Sequence, residues 1–321
     1  MADRVPPHAW FLVSAVFHYL GPAFAVLLFA RVDVLGVAWL RIAAAALVFA
    51  LWRRPLRVLR AADAPTRRLL AAWGAVLAVM NACFYLAIDR LPLATVAAIE
   101  FLPVVALAAL GARTRRNAAA LVLAAGGVYA LTGVRLEGDP LGVAFAAANA
   151  ALFAAYIVLA HRASREARER AGVGGSNGRA AGGAGGGDGR AGEAVSGIDG
   201  LAAAMAVAAV VVTPIGGWEV VGVLDDPVAL AAGVGVGVCS SVVPYVADQL
   251  AMRALPRATY ALLVALLPAT ATVIGIVVLT QVPSAREAVG VALVICGVAL
   301  HREHDYGDSE AAVEPEPAAA G

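Results

Sequence analysis

The chain has 321 residues, 61% of them hydrophobic, with a mean hydropathy of +0.82 and a formal charge of +1. Soluble domains hold about 45–50% apolar residues, so this composition excludes a water-soluble globular protein and makes lipid the solvent for much of the surface. The 24 basic residues, all Arg, balance 23 acidic ones without forming a concentrated basic face, which gives no sign of nucleic-acid binding.

A membrane-crossing helix needs about 20 mostly apolar residues. Ten candidate stretches follow along the chain: 10–30, 34–52, 69–88, 92–112, 117–134, 141–161, 199–216, 228–249, 257–280 and 285–301. The first has no small-residue cleavage site followed by a soluble domain, so it reads as a retained span. Cys83, Cys239 and Cys296 fall inside apolar stretches with no CxxC or Cys/His spacing, and read as buried free thiols. With the N-terminus inside, 19 of the 24 Arg residues fall in cytoplasmic segments. Arg31, Arg90, Arg135 and Arg286 fall outside, and Arg41 lies within a span. An excess of Arg on one side sets orientation, which predicts both termini in the cytoplasm.

The segment 163–198 differs in kind. Its start, Arg165–Arg170, reads as a charged end to the sixth helix, and Gly, Ala, Arg and Ser follow over 172–197 with no apolar period. It buries too little surface to offset ordering entropy and reads as a flexible cytoplasmic linker. The polar, acidic stretch 302–321 reads as a disordered tail.

A corner recurs across the chain. Ala87-Ile88-Asp89-Arg90-Leu91-Pro92-Leu93-Ala94-Thr95 is answered by Ala251-Met252-Arg253-Ala254-Leu255-Pro256-Arg257-Ala258-Thr259. Each copy joins two apolar stretches, and the Arg bias puts them on opposite sides of the membrane. This predicts an all-α membrane protein of ten transmembrane helices in two inverted five-helix repeats, 1–140 and 141–301, with a site between them.

Charges inside spans are costly unless paired or hydrated. Arg41 reads as a structural anchor or a partner for a neighbouring helix. Glu100 reads either as interhelical hydrogen-bonding or as a proton-coupling or substrate-amine group. Asp248 reads as an interfacial charge or a site residue, and His18 as a packed neutral ring or a site residue. Polar and aromatic side chains recur deep in the spans: Tyr19, Asn81, Tyr85, Asn149, Tyr156, Tyr245 and Gln249. Asn81 and Tyr85 share one helix face, as do Tyr245, Asp248 and Gln249. Two such faces predict a shared substrate cavity lined by His18, Asn81, Tyr85, Glu100, Asn149, Tyr156, Tyr245 and Asp248, against the alternative of simple interhelical bonding. Pro92 and Pro256 mark the repeated corner. Pro103 and Pro268 break spans four and nine, where a kinked helix frees a carbonyl toward protein or water. There is no P-loop, HExxH, GxSxG or metal-ligand spacing, so the chain reads as a non-enzyme that needs no ATP, cofactor or metal.

These features resemble the drug/metabolite transporter superfamily, in particular its EamA-type members, over roughly residues 10–301 apart from the linker. Trp39-Leu40-Arg41-Ile42-Ala43-Ala44-Ala45 resembles the Arg-containing start of that family's second span. Asn81-Ala82-Cys83-Phe84-Tyr85, Ala98-Ile99-Glu100-Phe101 and Ser240-Ser241-Val242-Val243-Pro244-Tyr245 resemble its threonine/homoserine exporter branch. The resemblance implies a bacterial inner-membrane exporter of small metabolites such as amino acids, working by alternating access with Glu100 as proton carrier. Efflux of a drug or another metabolite, and a non-transporting receptor or scaffold, stay open as alternatives. The expected partners are a small-molecule substrate and the lipid bilayer, with a homodimer left open. Two departures stand out. The family commonly has Glu-Pro in its ninth span and Gly-Glu at its end, where this chain has Leu267-Pro268 and Thr280-Gln281.

Overall fold

The computed structural model describes residues 7–111, 114–135, 139–178, 189–254 and 267–300. Among these the fold is all helical, with no strand. Helix α1 spans Pro7–Leu28, α2 Val34–Arg53, the short α3 Pro55–Ala61, α4 Ala64–Ile88, α5 Leu93–Gly111 and α6 Arg115–Arg135. Helix α7 spans Pro140–Gly178, α8 Gly189–Gly216, α9 Pro227–Gly237, α10 Val243–Ala254, α11 Leu267–Leu279 and α12 Ala285–Leu300. A π turn at Val238–Val242 joins α9 to α10 within one apolar span, Pro227–Ala247.

Helix occurs at each of the ten expected stretches. Six helices are long and apolar enough to cross a membrane, and Leu93–Pro103 and Leu267–Leu279 are shorter apolar helices. The expected linker 163–198 is helical at both flanks, to Gly178 and from Gly189, while 179–188 lies outside the described residues. Arg165 with Glu169 and Glu166 with Arg170 set opposite charges four residues apart, a spacing that supports helix through 165–170. The tail 302–321 also lies outside the described residues.

Chain reversals use short acidic caps at helix N-termini, where unpaired N–H groups attract carboxylates. Asp33 accepts from Leu35 N at 3.3 Å, Asp63 from Thr66 N at 3.3 Å, and Asp226 from Val228 N and Ala229 N at 3.0 Å. Ser284 and Glu287 cap α12 reciprocally. Glu287 Oε2 accepts from Ser284 N at 2.8 Å, and Ser284 Oγ accepts from Glu287 N at 3.3 Å, a capping box.

The reversals fall into two sets that bond within themselves. At one end Arg31 pairs with Asp226 at 3.2 Å, Arg90 with Asp139 at 3.7 Å, and Leu93 N donates to Gln281 Oε1 at 3.0 Å. At the other end Arg53 pairs with Asp199 at 3.7 Å, Thr66 Oγ1 donates to Glu166 at 2.8 Å, and Arg116 Nε donates to Leu300 O at 2.7 Å. Consecutive long helices therefore run in opposite directions between two faces. Leu51, Val122, Val210 and Val277 point outward and exposed, as side chains facing lipid do.

Packing is set by small residues, which let backbones approach where lipid supplies no hydrophobic drive between helices. Helix α1 packs on α10 and α11, and α7 on α4 and α5. Helix α2 packs on α8 and α9, α4 on α8, α5 on α11, and α6 on α12. The largest buried cluster joins Tyr19, Val37, Phe84, Tyr85, Val96 and Ala146 from α1, α2, α4, α5 and α7.

Candidate functional site

Arg41 is the side chain around which the interior polar groups are organised. It sits on α2, and two glycines bring its surroundings close. A Cβ on Gly237 would lie 2.7 Å from Arg41 O, and one on Gly21 would lie 2.8 Å from Ser240 Cα. Only hydrogen at these positions lets α9 lie on α2 and the π turn lie on α1. Pro244 then supplies an acceptor. It has no N–H to give to the carbonyl four residues back, and Arg41 Nη2 donates to that carbonyl, Ser240 O, at 3.4 Å. Arg41 Nε donates to Ser241 Oγ at 3.1 Å, and Nη1 donates to Asn81 Oδ1 at 2.8 Å. Asn81 Nδ2 in turn donates to Ala38 O at 3.1 Å. The Tyr85 ring lies 5.5 Å from the guanidinium carbon, one helical turn from Asn81, within cation–π range. Arg41 therefore turns into protein, tying α2 to α4 and to the π turn.

Glu100 and Asn149 form the second polar group. Glu100 is 7% exposed, Asn149 is fully buried, and Asn149 Nδ2 donates to Glu100 Oε1 at 3.2 Å, joining α5 to α7. The Glu100 carboxyl lies within electrostatic reach of both Arg41 and the Tyr19 hydroxyl. Half-buried His18 packs edge-on to Tyr19 with ring centroids 5.2 Å apart, and Arg41 acts on it as well. Three buried polar atoms here have no hydrogen-bond partner among the described residues: Tyr19 OH, Tyr85 OH and Asn149 Oδ1. Buried groups of this kind are nearly always satisfied, so their gathering around one acid and one base marks a place built for something further.

Tyr156 and Tyr245 form a separate group. Their hydroxyls are 3.2 Å apart, joining α7 to α10, with Trp73 and Phe153 packed on Tyr156. Tyr156 lies seven residues beyond Asn149 on α7, a rise of about 10 Å. The eight residues expected to share one cavity therefore divide. His18, Asn81, Tyr85, Glu100 and Asn149 gather around Arg41, Tyr156 and Tyr245 pair apart from them, and the Asp248 side chain lies outside the described residues.

The marked prolines fall as follows. Half-buried Pro92 opens the turn into α5, its carbonyl accepting from Thr95 N at 2.9 Å. Pro103 lies inside α5. Pro268 is buried near the start of α11, where its carbonyl accepts from Thr272 Oγ1 at 2.9 Å. Pro256 lies outside the described residues. Sequence reasoning left Tyr19, Ser240 and Ser241 out of the site. The available signal was Pro244, which frees the carbonyl of Ser240 toward an intramembrane Arg that must find acceptors.

A cavity of about 260 Å³ opens elsewhere, among Pro92, Thr95, Thr272, Gln281 and Glu287 at one end of the bundle. Its polar groups already serve the fold. Gln281 caps α5, and Glu287 caps α12.

The chain is 28% identical over 265 residues to the threonine/homoserine exporter RhtA of Salmonella typhimurium (strain SL1344), covering 81% of this chain and 79% of that protein. It is 27% identical over 264 residues to the threonine/homoserine exporter RhtA of Escherichia coli (strain K12), with the same coverage. A solved crystal structure aligns over 91% of this chain and 96% of its own at a TM-score of 0.52 and 19% identity, which shows a shared fold. Residues 189–302 match the model of the EamA-like transporter family, and six helices among the described residues are long and apolar enough to cross a membrane, as in a multi-pass membrane protein.

Proposed function

We propose that the protein is an inner-membrane secondary transporter that exports small amino acids such as threonine or homoserine, coupled to the proton gradient. The observation that carries this reading is the Arg41–Glu100 centre, a half-buried guanidinium and a buried carboxyl inside apolar helices, with Tyr85 OH beside the first and Asn149 Oδ1 and Tyr19 OH near the second, all three without a hydrogen-bond partner among the described residues. Intramembrane charges mark substrate and ion pathways. The curated relatives, named as threonine/homoserine exporters, support the substrate class and the outward direction. Glu100 carries the proton in this reading, Asn81, Tyr85 and Asn149 line the substrate, and Arg41 orients it.

Alternating access requires two halves that rock about the site. The helix pairing supports that division. If the span formed by α9 and α10 is counted as the eighth, the most extensive pairings recur when both members advance by five spans. Helix α1 on α10 answers α7 on α4, α1 on α11 answers α7 on α5, and α4 on α8 answers α2 on α9. The pairs α2 with α8, α5 with α11 and α6 with α12 map onto themselves. This pattern and the Arg bias support the reading of ten spans in two inverted halves, 1–140 and 141–301, with both termini cytoplasmic.

The test is export of labelled threonine and homoserine from proteoliposomes with an imposed pH gradient. Export that rises with the gradient and collapses with an uncoupler is the expected result. Gradient-independent leak, or no flux of any amino acid in a panel, would overturn the reading.

A further inference from the structure

We propose that the Arg41–Glu100 centre is a two-ended subsite for an α-amino acid, with the carboxylate held by Arg41 and Tyr85 and the ammonium held by Glu100, Asn149 and Tyr19. This rests on the amino-acid reading above and assigns each end of the substrate to named atoms.

The donors and acceptors left over at the two ends are complementary in kind. A guanidinium has five N–H groups. Arg41 commits one from each nitrogen, to Ser241, Asn81 and Ser240, so each Nη keeps one N–H. Two such groups on a planar fork suit the two oxygens of a carboxylate. The Tyr85 hydroxyl lies beside the Arg41 and Ser240 side chains, which act on its oxygen, and its own O–H has no acceptor in hydrogen-bond geometry among the described residues, so it can donate a third bond. The bonds to Asn81 and Ser241 also fix the fork before any ligand arrives.

The other end offers acceptors. An ammonium has three donors and accepts nothing. Asn149 turns its amide N–H to Glu100 and leaves Oδ1 open. Tyr19 OH is also open, within electrostatic reach of Glu100. The Glu100 carboxylate, Asn149 Oδ1 and Tyr19 OH are three acceptors for three N–H groups. One positive and one negative side chain form the centre, so a zwitterion enters without changing its net charge. A ligand with a single charge would leave one buried charge without its counterpart, which is costly.

Binding to the purified full-length protein in detergent separates the ends. The probes are L-threonine, L-threoninol, which lacks the carboxylate, and β-hydroxybutyrate, which lacks the amine. Wild type should prefer threonine to either by roughly 10- to 100-fold, the worth of a charge-assisted bond. Arg41→Gln should erase the preference over threoninol and keep threoninol binding. Glu100→Gln should erase the preference over β-hydroxybutyrate and keep its binding. Because each result is a ratio within one variant, a general loss of fold does not imitate it, and Asn149→Ala gives a milder variant that should weaken threonine and threoninol together. Threonine binding with both preferences unchanged in the variants overturns the two-ended subsite and leaves the transporter reading standing. Failure of wild type to bind any α-amino acid overturns both.

Discussion

Helix α5 carries Glu100 three residues before Pro103, whereas α11 carries Leu267 immediately before Pro268. The two helices touch each other; α5 begins within the first copy of the repeated corner, and α11 lies beyond the second copy in sequence. Their polar arrangements differ. Glu100 reaches across to Asn149 on α7, while the polar bond near Pro268 stays inside α11, from Thr272 Oγ1 to Pro268 O. One helix thus exports its polarity to a neighbour and the other keeps it. The difference teaches that similar helices can divide labour, with the charged chemistry on α5 and packing on α11.

The largest expected effect comes from removing the charge on α5. Glu100→Gln keeps shape and hydrogen bonding but cannot titrate, so it should abolish gradient-driven export and leave counterflow in proteoliposomes only at roughly 10- to 100-fold higher threonine, the ammonium contact being weakened as well. Undiminished pH-dependent export would remove Glu100 from the coupling role. The reciprocal change places an acid on α11. Leu267→Glu should destabilise the fold by about 3 kcal/mol, the cost of an unpartnered charge within a span, read as a lowered thermal midpoint in detergent. If it instead restores export to Glu100→Gln, the two helices are interchangeable and the comparison fails. Asn149→Leu leaves the Glu100 carboxyl without its donor and should cost about 1–3 kcal/mol, measured by the same thermal midpoint.

Smaller effects are expected at the ends of the helices. Thr280 follows α11 with φ of 56°, a left-handed conformation in which a β-branched side chain is strained. Thr280→Gly should raise stability by about 1 kcal/mol, and unchanged melting would show that the strain is absorbed by Gln281 and its bond to α5. The smallest concerns Asp226, exposed at the start of α9. The N–H groups of Ala229 and Val228, and then Arg31, hold its carboxyl below the usual aspartate range. A depressed value means that its stabilisation is present above the unfolded value of about 3.9 and fades as pH falls through the lower folded value. Asp226→Asn should therefore narrow its stability deficit below pH about 4, and an equal deficit at every pH would assign its role to shape alone.

Much of the fold was legible in the sequence because membrane helices must satisfy their own backbone. Apolar length alone located α1, α2, α4, α7, α8 and the span from α9 through α10. The charged run 165–170 was legible as the end of the sixth helix, but helix on to Gly178 and from Gly189 was not, because Gly-rich composition carries no helix signal. At the site, Glu100, Asn81 and Asn149 stood out as polar residues in apolar runs, and they do gather near Arg41. Tyr156 and Tyr245 stood out equally but pair elsewhere, because periodicity gives a face without saying which neighbour covers it. Ser240 was hidden because its contribution is a backbone carbonyl, visible only through Pro244.

The π turn at Val238–Val242 carries a consequence for the angular phase of its span. An extra residue in a helix rotates everything beyond it by about 100° relative to an unbroken α-helix. Gly237, before the turn, faces Arg41 and Ala44 on α2, while Tyr245, beyond it, faces Tyr156 on α7. A single span thereby meets neighbours on two sides with its small and aromatic residues each aimed correctly. Straightening the turn to a plain α-helix with every residue kept would swing Tyr245 away from Tyr156, whereas deleting Val242 would restore the α ladder and leave Tyr245 facing Tyr156, even though composition and hydropathy would hardly differ between the two.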